Sequence, residues 1–360
     1  MYNPSGLTEL NNQHLRSKCK ISTALIVYFV VADICFGLNF GFTKLLNKTL
    51  RSIVRVLSWI SSLAMVVIVS APLTSFNKQA AYLSLFTFQY ILSLLILLLS
   101  KYTVCDFLVD IIEVNKLVDF DKFHVGVKIM AYSLTTFVVK LTVLSVFCGY
   151  VLQFCVHSIF PDYITYIPLL ALDVVSVVHT LVFYYIYCHV KFLKDALKNR
   201  EIDLDEVKQI YKETGDCFDR IKPSFDKLFI MGVILGIPKL MGVIWELLLY
   251  IKENASWVTY MSHNVFALHF VIQMCAPAVV AEMVLAETDS IKLILSNRLL
   301  LSGDVKENRK VNSLLGYMET RPLHYKVWRI VHVDLHLPVS LLSICTTYLI
   351  VIIQFTHLYN

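Results

Sequence analysis

Long apolar runs are the feature that most constrains the fold of this 360-residue chain. A helix that crosses a bilayer needs about 20 apolar residues at a rise of about 1.5 Å per residue. Runs near or above that length recur along the whole sequence, at residues 21–42, 52–74, 80–100, 127–156, 163–190, 228–251, 258–286 and 335–357. A soluble core could not bury so much apolar surface, so the sequence predicts an all-α polytopic membrane protein.

The composition supports the same class of protein. The chain is 57% hydrophobic, has a mean hydropathy of +0.65, and is only 16% charged. A typical soluble domain is about 25% charged. The net charge of +5 could suggest a nucleic-acid partner, but the basic residues lie between apolar runs, where membrane topology explains them. We therefore expect the lipid bilayer, and no nucleic acid, as a partner.

The distribution of lysine and arginine predicts the orientation. If the run at 21–42, which carries Asp33 near its middle, does not cross, then seven transmembrane helices remain. With the N-terminus inside and the C-terminus outside, cytoplasmic segments hold 26 of the 32 basic residues, whereas the opposite loops hold only Lys78 and Lys252. Such an asymmetry is typical of the cytoplasmic side of membrane proteins. We therefore interpret 21–42 as a re-entrant or surface helix.

This topology divides the chain into four regions. A cytoplasmic N-terminal segment at 1–51 contains the re-entrant or surface helix, and a six-helix transmembrane bundle follows at 52–286. A cytoplasmic segment at 287–334 precedes the seventh helix at 335–360. Within the bundle, residues 191–227 have apolar side chains at helical spacing, which predicts two amphipathic helices that extend beyond the bilayer.

Two glycosylation sequons test this orientation. Asn254-Ala255-Ser256 falls in a short loop predicted to lie outside, which makes Asn254 a candidate glycosylation site. Asn47-Lys48-Thr49 falls inside, so one of the two is a chance match to a short pattern.

Catalytic patterns are not found in the sequence. It contains no H-E-x-x-H, no G-x-S-x-G and no phosphate-binding loop. The nine cysteines have neither zinc-site spacing nor the spacing of a disulfide framework. We therefore predict that the chain is not an enzyme and uses no cofactor or metal.

A motif near the C-terminus suggests a family. Residues 347–355 have the order Thr-Tyr, five apolar residues, then Gln-Phe. With seven predicted spans, an inside N-terminus and this tail, the chain resembles the insect gustatory receptor family. The preceding segment, RPLHYKVWRIVHVDLHL (321–337), also resembles that of the family, with Asp334 at the family's acidic position. The glycine-and-aromatic step that the family has before this acid is replaced here by the Ile-Val-His of residues 330–332.

The resemblance implies a function and an assembly. Receptors of this family are similar to odorant receptors and form tetrameric ligand-gated cation channels, so we expect a homotetramer, or a heterotetramer with related receptors, that conducts cations. It further implies that the last helix lines a central pore, that the segment at 287–334 belongs to a cytoplasmic anchor, and that a small-molecule tastant binds on the extracellular side. The implied location is the plasma membrane of sensory neurons.

The residue after the motif tyrosine narrows the expected ligand. Sweet-sensing members of the family carry glutamate at this position, whereas this chain has Leu349. The resemblance therefore implies a bitter or other non-sugar tastant rather than a sugar.

The last helix has a polar line along one side. At 100° per residue, four polar side chains lie within about 40° of this line: Ser340, Ser343, Thr347 and Gln354. Lipid would face an apolar stripe, so a polar one should face protein or water. With the flanking apolar residues, the predicted pore residues are Ser343, Thr347, Ile350, Val351, Gln354 and Phe355.

An apolar band within such a pore could gate it by dewetting. The alternative for the two serines, of equal weight, is that their hydroxyls bond the backbone carbonyl one turn back. That alternative is weaker for Gln354, because a lone amide in lipid costs several kcal/mol.

Two further motif residues have predicted roles. Tyr348 lies about 100° from the polar line and in mid-span, so we expect it to pack against a neighbouring helix rather than anchor at the interface. Asp334 precedes the last span, where four copies could form a ring that favours cations. The equal alternative for Asp334 is a helix cap or a salt bridge to Lys326 or Arg329.

The predicted ligand pocket is the set of aromatic and polar residues in the outer halves of the other spans. Pockets combine aromatic walls with a few polar groups, and ionisable residues within spans are functional candidates. The set is Gln153, Tyr166, Asp173, Trp245, Glu246, Tyr260, His263 and Asn264. Interfacial anchoring is the alternative for Tyr166 and Tyr260, and a hydrogen bond between helices is the alternative for Asp173 with His263.

Two other classes of protein remain possible at this point. A G-protein-coupled receptor also has seven helices, but its N-terminus lies outside and Asp-Arg-Tyr follows its third span, where this chain has VLQFCVHSIF. A secondary transporter would have paired interrupted helices in two halves, which the sequence lacks. Accessibility of tags at the two termini separates the receptor channel from the G-protein-coupled receptor.

Overall fold

The computed structural model describes residues 23–70, 78–114, 161–200, 202–252, 257–301, 303–327, 331–334 and 336–358. In chain order, its α-helices are α1 (Thr23–Phe36), α2 (Lys48–Ser70), α3 (Lys78–Leu99), α4 (Val104–Val114), α5 (Pro161–Asn199), α6 (Leu204–Lys252), α7 (Trp257–Leu301), α8 (Val305–Thr320) and α9 (His336–Leu358). A 3₁₀ turn covers Phe42–Leu45. Two short strands, β1 (Lys326–Val327) and β2 (Val331–His332), pair antiparallel between α8 and α9.

The all-α prediction is confirmed, with the β1–β2 hairpin as the one exception in the described part of the chain. The predicted span at 127–156 lies outside the described residues. Two described segments, Ala171–Asn199 and Leu204–Trp245, are long and apolar enough to cross a membrane. The bent pair α3–α4 would add a third if it counts as one span. The number of crossings and the orientation of the termini stay predictions.

Three long helices form the centre of the bundle. Helices α5, α6 and α7 have 39, 49 and 45 residues, about twice what a bilayer requires. Helix α5 packs chiefly against α7, and α6 contacts α3, α4 and α7. Helices α6 and α7 continue through Pro238 and Pro277. Their lengths leave long extensions beyond the apolar segments.

These extensions include residues 191–227, whose helical spacing predicts two amphipathic helices. Helix α5 continues to Asn199, Arg200 adopts a positive φ of 56°, and α6 begins at Leu204. Thus residues 191–227 contain the end of one helix and the start of the next. Helix α8 packs beside them on α6 and α7.

A local network sets the bend of 53° between α3 and α4. The backbone N–H and the hydroxyl of Thr103 donate to the Asp106 carboxylate at 3.0 and 2.8 Å. The Asp106 N–H lies 3.4 Å from the Thr103 hydroxyl oxygen, which completes a reciprocal cap at the start of α4. Lys44 ties the 3₁₀ turn to this cap, because its Nζ lies 2.6 Å from the Asp106 carboxylate. The bend is therefore fixed by side chains from two segments.

Helix α1 belongs to the run whose crossing of the membrane was in doubt. The described helix has 14 residues, about 21 Å at 1.5 Å per residue, against a hydrocarbon core of about 30 Å. It ends at Phe36, where Gly37 adopts a positive φ of 67°. Helix α1 packs on α2 and α5. Whether this segment crosses the bilayer or is a re-entrant or surface helix stays a prediction.

Candidate functional site

A cavity of about 80 Å³ lies between α3, α5, α6 and α7. Four polar residues contribute to its walls: Gln89, Ser93, Ser176 and His179. The other lining residues are apolar or glycine, among them Phe229, Gly232 and Pro277. Apolar walls with a few convergent polar groups are the usual lining of a small-molecule site. The cavity is therefore the candidate ligand site within the described part of the chain.

Gln89 connects this cavity to a buried lysine. Lys239 on α6 is fully buried, donates from Nζ to the Gln89 side-chain oxygen, and lies with Nζ 4.0 Å from the ring centre of Phe86. The amide and the ring face both stabilise the ammonium group, the latter by a cation–π interaction. An ionisable residue within an apolar span marks a functional site by default. Lys239, in the run GIPKLMGV, could have indicated this site from the sequence, but it is not among the predicted site residues.

His179 connects the cavity to the chain that precedes α9. Its imidazole packs among aromatic rings, with centroid distances of 4.5 Å to Phe225 and 6.1 Å to Tyr325. Phe183 packs on the same tyrosine at 4.7 Å. Because Tyr325 immediately precedes β1, a continuous set of packed rings runs from the cavity wall to the hairpin before α9. We call His179, Phe183, Phe225 and Tyr325 the aromatic cluster.

The residues predicted for the pocket lie in several places. Asp173 is buried on α5, beside the cavity-lining Leu172, and Trp245 and Asn264 are half-buried on α6 and α7. These three residues do not line the cavity. Only the backbone is described at Tyr166, Glu246, Tyr260 and His263, and Gln153 and Asn254 lie outside the described residues. The outer pocket and the glycosylation site therefore stay predictions.

Helix α9 has two distinct faces. Leu341, Cys345 and Leu349 are buried at successive i, i+4 positions, where α9 packs on α6 and α7. The predicted pore residues with described side chains are all exposed in the single chain: Ser343, Thr347, Ile350, Val351 and Gln354. The side chain of Phe355 is not described. The buried stripe lies about opposite the polar line at 100° per residue, so the line faces away from the chain's own bundle.

The contacts of three side chains in and before α9 bear on the alternative roles predicted for them. The Thr347 hydroxyl donates to the Ser343 carbonyl at 2.9 Å, so it bonds backbone while remaining exposed. Asp334 accepts the His336 N–H at 3.0 Å and thereby caps α9, which is one of its two predicted roles. Tyr348 is 57% exposed, so packing of its ring has to come from beyond the described part of this chain.

Arg321 holds the start of this region on α6. Its guanidinium lies 2.5 Å from the Asp219 carboxylate and 2.7 Å from that of Asp216. These two hydrogen bonds raise the pKa of Arg321 above its usual value. The Tyr211 hydroxyl donates to the Arg321 carbonyl and accepts the Leu323 N–H, both at 3.2 Å. This clamp fixes where the chain leaves α8 and turns towards the hairpin.

Removing the two ion pairs of the Arg321 side chain should loosen this segment locally. We expect Arg321→Gln to speed amide hydrogen exchange across residues 321–327 about fivefold, because two half-exposed ion pairs contribute about 1 kcal/mol together. Hydrogen–deuterium exchange with mass spectrometry measures it. The matched control is Arg309→Gln, which removes an exposed arginine of α8. Equal exchange at residues 321–327 in the two variants would contradict the role of the clamp.

The long apolar helices, the cavity among them and the two-faced last helix define a polytopic all-α membrane protein. The profile of the 7tm Chemosensory receptor family matches residues 79–358, so the chain belongs to that family. No curated protein matches the sequence significantly.

Two solved structures of an insect olfactory receptor share the fold. The OR5 receptor from Machilis hrabei matches with a TM-score of 0.64 at 12% identity, over 96% of this chain and all of that one. The same receptor in complex with eugenol matches with a TM-score of 0.61 at 13% identity and the same coverage. At these identities the likeness shows the fold alone.

Proposed function

We propose that this chemosensory receptor is a gustatory receptor that acts as a ligand-gated, non-selective cation channel. The observation that carries the proposal is the division of α9, with an apolar stripe buried on α6 and α7 and a polar line exposed on the opposite side. An exposed polar line on an apolar helix requires water or protein beside it. A central pore shared by several subunits supplies both.

The proposed assembly is a homotetramer, or a heterotetramer with related receptors, in the plasma membrane of sensory neurons. Four copies of α9 would place Thr347 and Gln354 towards permeant cations, with Ile350 and Val351 beside them as an apolar band. Tyr348 is exposed in the single chain and would then contact the neighbouring subunit. The Thr-Tyr and Gln-Phe motif favours taste over smell, because it belongs to the gustatory receptor family that the chain resembles.

The proposed ligand is a bitter or other non-sugar small molecule. The related OR5 receptor has been solved with eugenol, a small molecule. The cavity of this chain has mostly apolar walls, and Leu349 occupies the position where sweet-sensing members carry glutamate. Both features favour an apolar compound over a sugar.

The aromatic cluster is the proposed connection between ligand and pore. A ligand in the cavity would contact His179, which packs on Tyr325 at the entrance to the hairpin and α9. Packed rings have a small number of discrete arrangements, so a change at His179 can shift the chain that leads into the last helix.

Recording from the chain expressed alone tests the function. We expect apolar bitter compounds to evoke a current that carries Na⁺ and K⁺, with little response to sugars, because the cavity is small and mostly apolar. Whole-cell recording with a panel of both compound classes measures this. Persistence of the current in excised patches bathed in GTP-free solution separates a channel from a G-protein-coupled receptor, which needs GTP to signal. Surface expression without current to any compound, alone or with related receptors, would contradict the proposal.

A further inference from the structure

A second cavity, of about 160 Å³, lies beside the end of α1. Its walls come from the segment between α1 and α2, from α2 itself and from the α3–α4 bend. Asp33, Lys44, Arg55, Trp59 and Thr103 are among the residues that line it. None of these residues contributes to the cavity between α3, α5, α6 and α7 or to the exposed line of α9.

Asp33 lines this cavity, and one of its carboxylate oxygens is not hydrogen-bonded within the described part of the chain. Asp33 is 1% exposed, and its Oδ1 accepts the Phe40 N–H at 3.1 Å. Its Oδ2 is buried and has no hydrogen-bond partner among the described residues. Buried polar atoms are nearly always hydrogen-bonded, so this oxygen points to a ligand that donates. A carboxylate oxygen accepts from N–H and O–H donors alike, and its negative charge favours a cationic donor.

The wall around Asp33 depends on two glycines. Gly37 and Gly41 have positive φ values of 67° and 86°. A Cβ atom at Gly37 would lie 1.8 Å from the Ser62 Oγ, and one at Gly41 would lie 2.2 Å from the Thr103 Oγ1. Only glycine therefore fits where this segment approaches α2 and the bend so closely. The cavity is a built feature of the fold rather than a gap between loosely packed helices.

The mouth of the cavity is basic and lies beside an apolar surface. Lys44 already pairs with Asp106, whereas Arg55 is exposed and makes no hydrogen bond or ion pair within the described part of the chain. Trp59, one turn further along α2, is 63% exposed. The outward face of α2 continues with exposed apolar side chains such as Ile53, Val56 and Ile60. In a membrane protein such a face contacts acyl chains, and tryptophan favours the headgroup boundary.

We propose that this cavity binds the headgroup of an aminophospholipid such as phosphatidylethanolamine. The primary ammonium donates to Asp33 Oδ2, the phosphate pairs with Arg55, and the acyl chains lie along α2. An acid inside the cavity and a guanidinium at its mouth match the order of charges in this zwitterion. The exposed face of α2 favours a lipid over a free amine. In the predicted orientation the lipid belongs to the cytoplasmic leaflet.

Native mass spectrometry of the purified full-length chain tests this assignment. The protein is equilibrated with equimolar phosphatidylethanolamine and phosphatidylcholine of identical acyl chains. We expect the unmodified chain to retain about tenfold more of the ethanolamine lipid, because the trimethylammonium of choline has no N–H to donate to Asp33. Retention should fall stepwise through the mono- and dimethylated lipids. Equal retention of all four lipids would overturn the proposal, and this comparison needs no variant.

Two variants assign the contacts. Asp33→Asn should abolish the preference for ethanolamine, while its matched control Asp195→Asn, at an exposed position on α5, should keep it. Arg55→Gln should lower the retention of both lipids alike, because both carry the phosphate, whereas Arg309→Gln should not. A preference that survives in Asp33→Asn overturns the site. Free ethanolamine that removes the lipid preference at equal concentration overturns the lipid assignment and indicates a site for free amines.

Discussion

Gly232→Phe is expected to reduce sensitivity to activating compounds about 100-fold or more, a loss of roughly 2.7 kcal/mol in apparent binding free energy. Gly232 lines the cavity between α3, α5, α6 and α7, and an added Cβ would lie 3.8 Å from the nearest side-chain atom, Nε2 of Gln89. A methyl group therefore fits by ordinary contact, whereas a phenyl ring occupies the space that a ligand would need. Dose–response curves for every compound that activates the unmodified chain measure the effect.

A graded series and a matched glycine separate cavity filling from helix stabilisation. Replacing a glycine within a helix by alanine gains up to about 1 kcal/mol of helix stability by itself. Gly215 lies on the same helix, and an added Cβ there would meet only Leu323 at 3.7 Å. Gly232→Ala and Gly215→Ala should thus change stability alike and potency little. Gly232→Leu should lie between alanine and phenylalanine in potency.

The conductance provides the second control. Because Gly232 lines the cavity on α6 and is not part of the exposed line of α9, residual openings should keep the single-channel conductance of the unmodified chain. Loss of potency with unchanged conductance supports the cavity as the ligand site. Unchanged potency in a Gly232→Phe receptor that reaches the cell surface would falsify that assignment and return attention to the outer halves of the spans.

The last helix is the region where the sequence predicted most. Helical periodicity alone placed Thr347 and Gln354 on one line, and the structure leaves both exposed while it buries Cys345 and Leu349 on the other side. The relative placement of these residues can be predicted because both faces belong to one helix, whose geometry is fixed at 100° per residue, whereas the pore itself stays a prediction. The cap by Asp334 could also be predicted from the sequence, because a cap forms between residues that are close neighbours in the chain.

The cavity could not be predicted from the sequence, for a physical reason. Its polar wall comes from Gln89, Ser176 and His179, which lie on helices whose relative rotation no single sequence specifies. Sequence reasoning favoured polar residues in the outer halves of the spans, and these three residues were not among them. Lys239 differs, since a lysine inside an apolar run costs too much to be incidental. Its position was visible in the sequence, while its partners Gln89 and Phe86 on α3 were not.

The contacts of the aromatic cluster and of the clamp could not be predicted from the sequence either. Tyr325 packs on Phe183, and Arg321 bonds Asp216, because the chain returns from α8 across α6. These contacts join residues more than a hundred positions apart. The amphipathic spacing at 191–227 predicted the helices but not which side chains from 287–334 would meet them.

The largest effect on permeation is expected from Gln354→Ala. Gln354 is exposed on α9, at the end of the line that contains Thr347, on the side opposite the buried stripe. In a tetramer four amides would converge, bond one another across a closed pore and solvate a cation in the open one. Removing them widens the passage and deletes the polar ligands. We expect altered permeability ratios among monovalent cations, more current without ligand, or both, with surface expression kept.

Two threonines provide a matched pair for this experiment. Thr346 and Thr347 each donate a hydroxyl to the carbonyl one turn back at 2.9 Å, to Leu342 and Ser343 respectively, so replacement by valine removes the same local bond from both. Only Thr347 lies on the polar line, while Thr346 is turned about 90° away from its centre. Thr347→Val should lower the single-channel conductance, and Thr346→Val should leave it unchanged. Equal effects of the two variants on conductance would contradict the assignment of the polar line to the pore.

The rival role for Gln354 is adhesion between helices, where an amide contributes about 1 kcal/mol. In that case Gln354→Ala should weaken assembly and lower the amount of receptor at the surface, while the permeability ratios of the remaining channels stay intact. Bi-ionic reversal potentials, measured beside surface biotinylation of the same cells, distinguish the two. A shift in reversal potential at normal surface density places the amide in the ion path, because a contact between helices outside the pore cannot change which cation passes. Lost surface protein with unchanged reversal potentials would assign Gln354 to the contact between subunits.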